Sequence, residues 1–186
     1  MQYAQRARAE SRDARWKYVQ SVLVSIGNMT ITWAGVERVL DELIAWYQHN
    51  CTDLTKEHPR SLREKLKYLR LMQCDERFTD ETREFLRKVR IDGKRIGNER
   101  HEIIHGLLHY RGSGTLEWTS QRVIYKGTNA SLAHRTFHND DLRRLSSEMS
   151  AFSHYLAPKV WILIGHDPSK FPMSEVEKAL SEFGFR

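Results

Sequence analysis

The sequence predicts a mainly α-helical protein that carries a small inserted β-hairpin. Over most of the chain, apolar residues recur at steps of three and four, the spacing of one helix face. Residues 107–126 form short apolar clusters and alternations instead, with Gly112-Ser113-Gly114 as a strong turn signal between them. Helical patterns flank this stretch on both sides, which predicts an antiparallel helical bundle interrupted by a hairpin.

A long first helix is predicted from about Trp16 to Asn50. Its apolar residues form a heptad seam: Val19, Val22, Ile26, Met29, Trp33, Val36, Leu40, Leu43 and Tyr47. A single amphipathic helix of this length has to pack along another long helix, in the same chain or in a partner. Residues 1–15 are mostly polar, so we expect them to form a separate helical or mobile N-terminal arm.

Two more helices are predicted before the hairpin. The first runs from Ser61 to about Cys74, after a loop that contains Pro59. The second begins after Thr79, a typical N-cap, because Asp80 and the next acidic residue suit the positive end of the helix dipole. It is predicted to end near Gly106.

Short strands are predicted at 107–111, 115–118 and 122–125, with 134–138 as a further edge. Asn139 is then predicted to cap a helix that Pro158 kinks or ends.

Ser174 and Glu177 form a capping box before a short C-terminal helix. The predicted organisation is therefore an arm (1–15), a helical domain (16–166) and a C-terminal helix (167–186).

Composition indicates an ordinary globular protein of one domain. The 186 residues are 40% hydrophobic and 29% charged, enough to bury a core. No run of apolar residues approaches the roughly 20 that cross a bilayer. The arginine-containing N-terminus lacks an apolar segment after it, so it does not look like a secretory signal. Cys51 and Cys74 are more typical of reduced thiols than of a disulfide. We expect a cytoplasmic protein without a membrane partner.

A net charge of +6 at pH 7 suits a polyanionic partner such as RNA. Basic residues concentrate between Lys56 and Arg100, and Lys94 and Arg95 are the candidates for contact with nucleic acid. Acidic residues are interspersed with them, so a solvated helix face with internal ion pairs explains the same pattern. The charge alone leaves both interpretations open.

Residues 100–106 combine two patterns that predict different chemistry. His101, Glu102 and His105 match HExxH, in which two histidines one helical turn apart hold zinc and the glutamate acts as a base. The metzincin extension is missing, because Leu108 and Arg111 occupy the positions of its glycine and third histidine. A zinc hydrolase is therefore the less favoured hypothesis, and no metal or other cofactor is expected.

The second pattern is Arg100, four intervening residues, His105 and Gly106, late in a helix. An earlier long helix carries Trp33 and Glu37 in a Trp-x-x-x-Glu pattern. Together with the hairpin and the closing helix, this arrangement resembles HEPN-domain proteins over about residues 16–156. In that family the residue after the arginine is commonly asparagine or aspartate, whereas this chain has His101.

The resemblance implies a HEPN-like bundle and a metal-independent endoribonuclease, often a homodimer whose two motifs face one cleft. Arg100 would hold the scissile phosphate, and His105 would move a proton near neutral pH. His101 would be a second catalytic or orienting group, with Glu102 and Glu37 in support. A role as a toxin or defence effector, with an antitoxin as a possible partner, fits this resemblance.

A protein of a different class explains the same residues. In a non-catalytic binding or dimerisation module, Arg100 would pair with Glu37 or Glu102 and fix the helices to one another, and His105 would cap the helix end. Whether this protein is an enzyme is therefore left open by the sequence.

Overall fold

The computed structural model describes residues 2–51, 57–110, 116–126 and 129–166. This part of the chain is mainly α-helical with a small antiparallel sheet, as predicted. In chain order the elements are α1 (Gln2–Cys51), α2 (Leu62–Gln73), α3 (Asp80–Ile104), β1 (Leu107–Tyr110), β2 (Leu116–Lys126), β3 (Asn129–Phe137) and α4 (Asn139–Leu163).

The chain divides into two compact units. The first, here called the site unit, comprises Met1–Thr30 and Asn98–Ser147. The second, here called the bundle unit, comprises Ile31–Gly97 and Glu148–Arg186. Helices α1, α3 and α4 each contribute residues to both units, whereas α2 belongs to the bundle unit and the sheet to the site unit.

The bundle unit has a core of aliphatic and aromatic side chains from four helical segments. The later half of the heptad seam predicted for α1, from Trp33 to Tyr47, is buried in this unit, and the other helices contribute apolar residues at helical spacing. The buried side chains include Trp33, Val36, Leu40, Leu43, Tyr47, Leu69, Met72, Phe85, Leu86, Val89, Ile96, Met149, Phe152, Leu156 and Val160. Burial of this surface is the main stabilisation of the unit.

Gly97 marks a close approach inside the bundle unit. A Cβ atom at this position would lie 2.4 Å from Leu62 Cδ2 and 3.0 Å from the ring of Trp33. Only a residue without a side chain lets these groups meet there. In contrast, a Cβ atom at Gly35 would have no neighbour within 4 Å.

Polar residues fix the helix ends of the bundle unit. Ser61 caps α2 through a capping box with Glu64: the serine hydroxyl accepts from the Glu64 amide, and the carboxylate accepts from the Ser61 amide. Thr79 caps α3, as predicted, because its hydroxyl accepts a hydrogen bond from the Thr82 amide at 3.3 Å.

A second polar group lies beside the turn between α2 and α3. Asp75 accepts hydrogen bonds from Arg77 Nε at 2.9 Å and from the Tyr47 hydroxyl at 2.8 Å. The Arg77 guanidinium holds the pKa of the Asp75 carboxyl well below its usual range. Burial, together with this carboxylate, raises the pKa of Tyr47 to about 12.

The site unit contains a three-stranded antiparallel sheet in the order β1-β2-β3. Strand β2 pairs with β1 through Trp118↔Leu108 and with β3 through Trp118↔Phe137. Because side chains alternate along a strand, Trp118 and Ser120 share one face. That face meets the end of α3, since Trp118 Nε1 donates to the Ile103 carbonyl oxygen at 2.8 Å.

Gly106 allows this packing of the sheet against α3. A Cβ atom on Gly106 would lie 2.2 Å from Trp118 Nε1 and 2.9 Å from two carbons of the same ring. The indole therefore occupies the space that any larger residue would need. Ile103 and Phe137 are buried in the same unit, together with Leu142 and Leu145 of α4.

Three predicted boundaries are wrong: the start of the first helix, and the end and the beginning of two strands that are in fact continuous. Helix α1 begins at Gln2, because residues 2–15 are rich in good helix formers and continue the helix instead of forming a separate arm. The strands predicted at 115–118 and 122–125 are one strand, β2. The polar residues between them lie in an unbroken register, since backbone pairing tolerates polar side chains.

Helix α4 also differs from its prediction. It continues through Pro158 to Leu163, although an interior proline costs about 3 kcal/mol. Leu156 and Val160 are buried on either side of the proline, and their packing offsets that cost. Asn139 is the first residue of α4 rather than its cap, and the turn predicted at 112–114 and the helix predicted at 174–183 lie outside the described residues.

One helix among the described residues, Asp13–Cys51, is long and apolar enough to cross a membrane by length and composition. Its apolar window has a mean hydropathy of 1.2 and is 28% buried. The core helix of a soluble protein passes the same test, and the later part of α1 lies in the bundle core.

Candidate functional site

His101 and His105 lie together at the C-terminal end of α3. Regular helix ends at Ile104, but the His105 amide still donates to the His101 carbonyl oxygen at 3.2 Å. One helical turn therefore separates the two residues, and their side chains share a face. Their ring centroids are 4.4 Å apart and the ring planes are inclined by 58°. Both imidazoles are exposed to solvent.

The two histidines line a pocket of about 220 Å³ in the site unit. Polar residues of α3 and β2 complete it; the lining consists of Asn98, His101, Glu102, His105, Ser120 and Gln121. Pockets for whole small molecules usually measure about 300–1,000 Å³, so this one is smaller. Its size and polar lining suit a compact polar group, such as a phosphate, better than a large cofactor.

An ion-pair cluster joins α3 to the sheet and to α4 beside this pocket. Glu102 accepts from Arg135 at 2.8 Å. Glu99 accepts from the same guanidinium at 3.2 Å and from Arg144 at 2.6 Å. We call these four residues the Arg–Glu cluster. The Glu99 carboxylate is only 12% exposed, which makes this a better-ordered network than an isolated surface pair.

Arg100 is placed differently from the arginines of this cluster. Its side chain is half-buried, and its Nε atom is buried without a hydrogen-bond partner in the described part of the chain. Leaving such a donor unpaired costs about 1–3 kcal/mol, more when the group is charged. Arg100 is not among the residues that line the pocket of His105. This agrees with the roughly 140° of helix rotation between the two positions.

The other residues named from the sequence are divided between the two units. Glu102 lies in the pocket, but its carboxylate is engaged by Arg135. Glu37 belongs to the bundle unit and is half-buried there. Lys94 and Arg95 also belong to the bundle unit and are exposed.

The basic cluster of α3 is largely paired with acids. Arg83 pairs with Asp80, Arg87 with Glu84, and Arg95 with Glu148, at nitrogen–oxygen distances of 2.5, 2.6 and 2.7 Å. Lys88 lies 4.4 Å above the ring of Tyr155. These contacts favour the interpretation of this segment as a solvated face with internal ion pairs.

This geometry gives little support to the zinc hypothesis. Within the part of the chain that the structure describes, no group of three or more histidine, cysteine or acidic side chains is placed to hold a metal. Glu102 accepts a hydrogen bond from Arg135, and it would have to lose this contact to act as a catalytic base.

Sequence analysis missed the residues that the sheet brings to the site. Ser120 and Gln121 line the pocket, and Arg135 binds both glutamates of α3. One signal was available: Glu99 and Glu102 are spaced three apart, so they lie on one helix face and call for a cation nearby. Which arginine supplies that cation depends on the strand register, which opposes Arg135 to Ser120.

The chain was also compared with known proteins. No family model matches it, and neither a curated protein nor a solved structure matches it. The resemblance to HEPN-domain proteins therefore stays a prediction based on residues 100–106 and on Trp33 and Glu37.

Proposed function

We propose that this protein is a metal-independent endoribonuclease of HEPN type that acts in the cytoplasm as a toxin or defence effector. The observation that carries the proposal is the exposed His101–His105 pair in a small polar pocket. Next to it in sequence, the Nε atom of Arg100 is buried with no hydrogen-bond partner among the described residues. Two imidazoles for proton transfer and a cation for the phosphate are groups that metal-independent phosphodiester transfer uses.

The proposed reaction needs no metal ion. His105 takes the proton of the ribose 2′-hydroxyl, and the 2′-oxygen attacks the adjacent phosphorus atom. The bond from phosphorus to the 5′-oxygen breaks, and the leaving oxygen takes a proton from a second donor, for which His101 is the candidate. The products are a 2′,3′-cyclic phosphate and a 5′-hydroxyl. General acid–base catalysis of this kind contributes about 10²–10⁴-fold.

Arg100 is assigned to the phosphate. A guanidinium is always charged, and its planar N–H groups match two oxygens of a phosphate. The helix rotation separates Arg100 from the histidine face, so the phosphate has to lie at the edge between the two faces, or a second copy of the chain supplies the arginine. The second arrangement agrees with the homodimer expected from the HEPN resemblance.

An exposed apolar face on the site-unit part of α1 supports the homodimer. Trp16, Leu23 and Val24 are 59%, 55% and 61% exposed, although residues of this size are usually buried when they cluster. Trp16 and Leu23 are seven residues apart and so lie on nearly the same side of the helix. Gly27 leaves open space beside them.

Sedimentation analysis tests this dimer. The wild-type chain is expected to sediment as a dimer, and Leu23→Glu with Val24→Glu should sediment as a monomer with unchanged helix content. The control is Arg38→Glu, which replaces an exposed polar residue of α1, and this variant should stay dimeric. A wild-type monomer would remove the dimer from the proposal.

The activity is tested by incubating a mixed RNA substrate with the protein in EDTA. Wild type is expected to cleave and to leave cyclic phosphate ends, which 2′,3′-cyclic phosphodiesterase treatment identifies. His105→Ala and Arg100→Ala should lose cleavage by about 10²-fold or more. His154→Ala, which removes an exposed histidine of the bundle unit, is the matched control and should cleave like wild type.

The possible results separate the three hypotheses. Cleavage that requires added zinc and vanishes in Glu102→Gln would replace this proposal by a zinc hydrolase. A folded wild type that never cleaves RNA would favour the non-catalytic module. The paired basic cluster and the Arg–Glu cluster support that module, because ion pairs between elements also occur where no chemistry is done.

A further inference from the structure

The His101–His105 pair has a property that RNA cleavage does not require. Two imidazoles one helical turn apart, on one face and exposed, can point their ring nitrogens at a common ion. The centroid distance of 4.4 Å brings the rings close enough for one ion to touch both after small side-chain rotations. Neither ring lies in the core, so such rotations meet little resistance.

Two other histidines of the described chain are held by different contacts. The ring nitrogens of His58 lie 2.9 Å from Asp41 and 3.4 Å from Gln48. His154 Nδ1 lies 2.7 Å from the Ser150 carbonyl oxygen. The ring of His101 instead lies against that of His105, with the space of the pocket beside both.

The surroundings of the pair suit a cation. The C-terminal end of α3 carries the negative end of the helix dipole. Glu102 lines the same pocket, and its ion pair with Arg135 offsets part of its charge. Asn98, Ser120 and Gln121 complete a polar lining. Imidazole ligands select ions such as Cu²⁺, Ni²⁺ and Zn²⁺ over Mg²⁺ or Ca²⁺.

We propose that His101 and His105 chelate one divalent transition-metal ion, and that the bound ion inhibits the protein. Two protein ligands and water complete a site that lacks the third ligand of a catalytic zinc centre. An ion on His105 occupies the lone pair that would accept the 2′-hydroxyl proton, so cleavage stops while the ion stays bound. The inhibitory part rests on the proposed nuclease function, whereas the metal site does not.

Binding is measured first, without reference to activity. Zn²⁺ is titrated into the metal-free full-length protein by isothermal titration calorimetry at pH 7.5. Wild type should bind one Zn²⁺ per chain. His101→Asn and His105→Asn should each weaken binding by roughly 100-fold, because two linked ligands act at high effective concentration. His154→Asn is the matched control and should bind like wild type.

A wild type that binds no Zn²⁺, or a His101→Asn variant that binds it as tightly, would overturn the metal site. The variants are at exposed positions, and circular dichroism verifies that they fold.

Inhibition is measured next, on the RNA substrate of the proposed function. Zn²⁺ near its dissociation constant should halve cleavage by wild type, and EDTA should restore it. His101→Asn loses the proposed proton donor and should cleave more slowly, but half inhibition of the remaining cleavage should need roughly 100-fold more Zn²⁺ than in wild type. Full cleavage by Zn²⁺-loaded wild type would overturn the inhibitory role. If no variant cleaves RNA at all, the nuclease proposal fails while the calorimetric result still decides the metal site.

Discussion

The bundle unit and the site unit use their charged side chains in different ways. In the bundle unit, arginines of α3 pair with acids one turn away or on α4, and Lys65 is buried with its Nζ 2.8 Å from Asp41. The site unit also contains ion pairs, in the Arg–Glu cluster, but Arg100 Nε is buried there with no partner among the described residues, and two histidines face a pocket. A charge satisfied locally supports the fold, whereas a charge kept unsatisfied marks a candidate for function.

The largest effect is expected for the substitution of Arg100. Arg100→Ala should lower RNA cleavage by about 10²-fold, because the developing charge on the phosphate loses its cation. The free energy of unfolding should stay equal or rise, since the variant removes a buried donor without a partner. Cleavage assays and urea denaturation measure the two quantities.

Arg87→Ala is the matched control for Arg100. Arg87 pairs with Glu84 on an exposed face of the bundle unit, so its loss should change neither cleavage nor stability by much. If Arg100→Ala instead destabilises the protein and leaves cleavage intact, Arg100 belongs with the structural charges and the comparison fails.

The next largest effect concerns the support of the site by Gly106. Gly106→Ala drives a methyl group into the Trp118 indole and breaks its hydrogen bond to the Ile103 carbonyl. We expect a loss of about 1–3 kcal/mol in the free energy of unfolding, the usual cost of overpacking. Gly27→Ala, with open space around its Cβ, should instead stabilise α1 by up to about 1 kcal/mol. Urea denaturation that ranks the two variants in the opposite order would contradict the packing described.

Two glycines of the bundle unit, Gly97 and Gly35, test its packing in the same way. Gly97→Ala gains helix propensity but crowds Leu62 and the buried Trp33 ring, so we expect a net loss of about 1 kcal/mol. Gly35→Ala meets nothing and should gain about 1 kcal/mol. Thermal unfolding followed by circular dichroism should place the variants on opposite sides of wild type.

The smallest effect is a pH dependence of the bundle unit. The pKa of Asp75 is lower in the folded protein than in the unfolded chain, because Arg77 binds its charged form. Ionised Asp75 therefore stabilises the fold above about pH 4, and this contribution disappears as the pH falls further. Asp75→Asn should be less stable than wild type at pH 7, and the difference should shrink at pH 3. Glu84→Gln, on an exposed face, should show almost no such difference.

Periodicity in the sequence anticipated most of the helices. Steps of three and four placed the buried face of α1, and Thr79 was correctly predicted to cap α3. Local signals were weaker where packing competes with propensity. Pro158 is a strong helix breaker in isolation, yet α4 continues past it because buried residues lie on both sides.

The candidate site was only half predictable. That His101 and His105 lie side by side could be predicted, because residues four apart in a helix share a face wherever the helix packs. Arg135, Ser120 and Gln121 come from the sheet, and a strand pattern does not specify which residues of a distant helix it will meet.

Most of the helices and the shared face of His101 and His105 follow from the sequence alone, since each depends on neighbours within a few residues. Contacts between separate elements place Glu102 against Arg135 and the Trp118 indole beside Gly106, and they leave Arg100 Nε without a partner among the described residues. These outcomes depend on strand register and on how closely separate elements approach one another, and residues far apart in sequence set both.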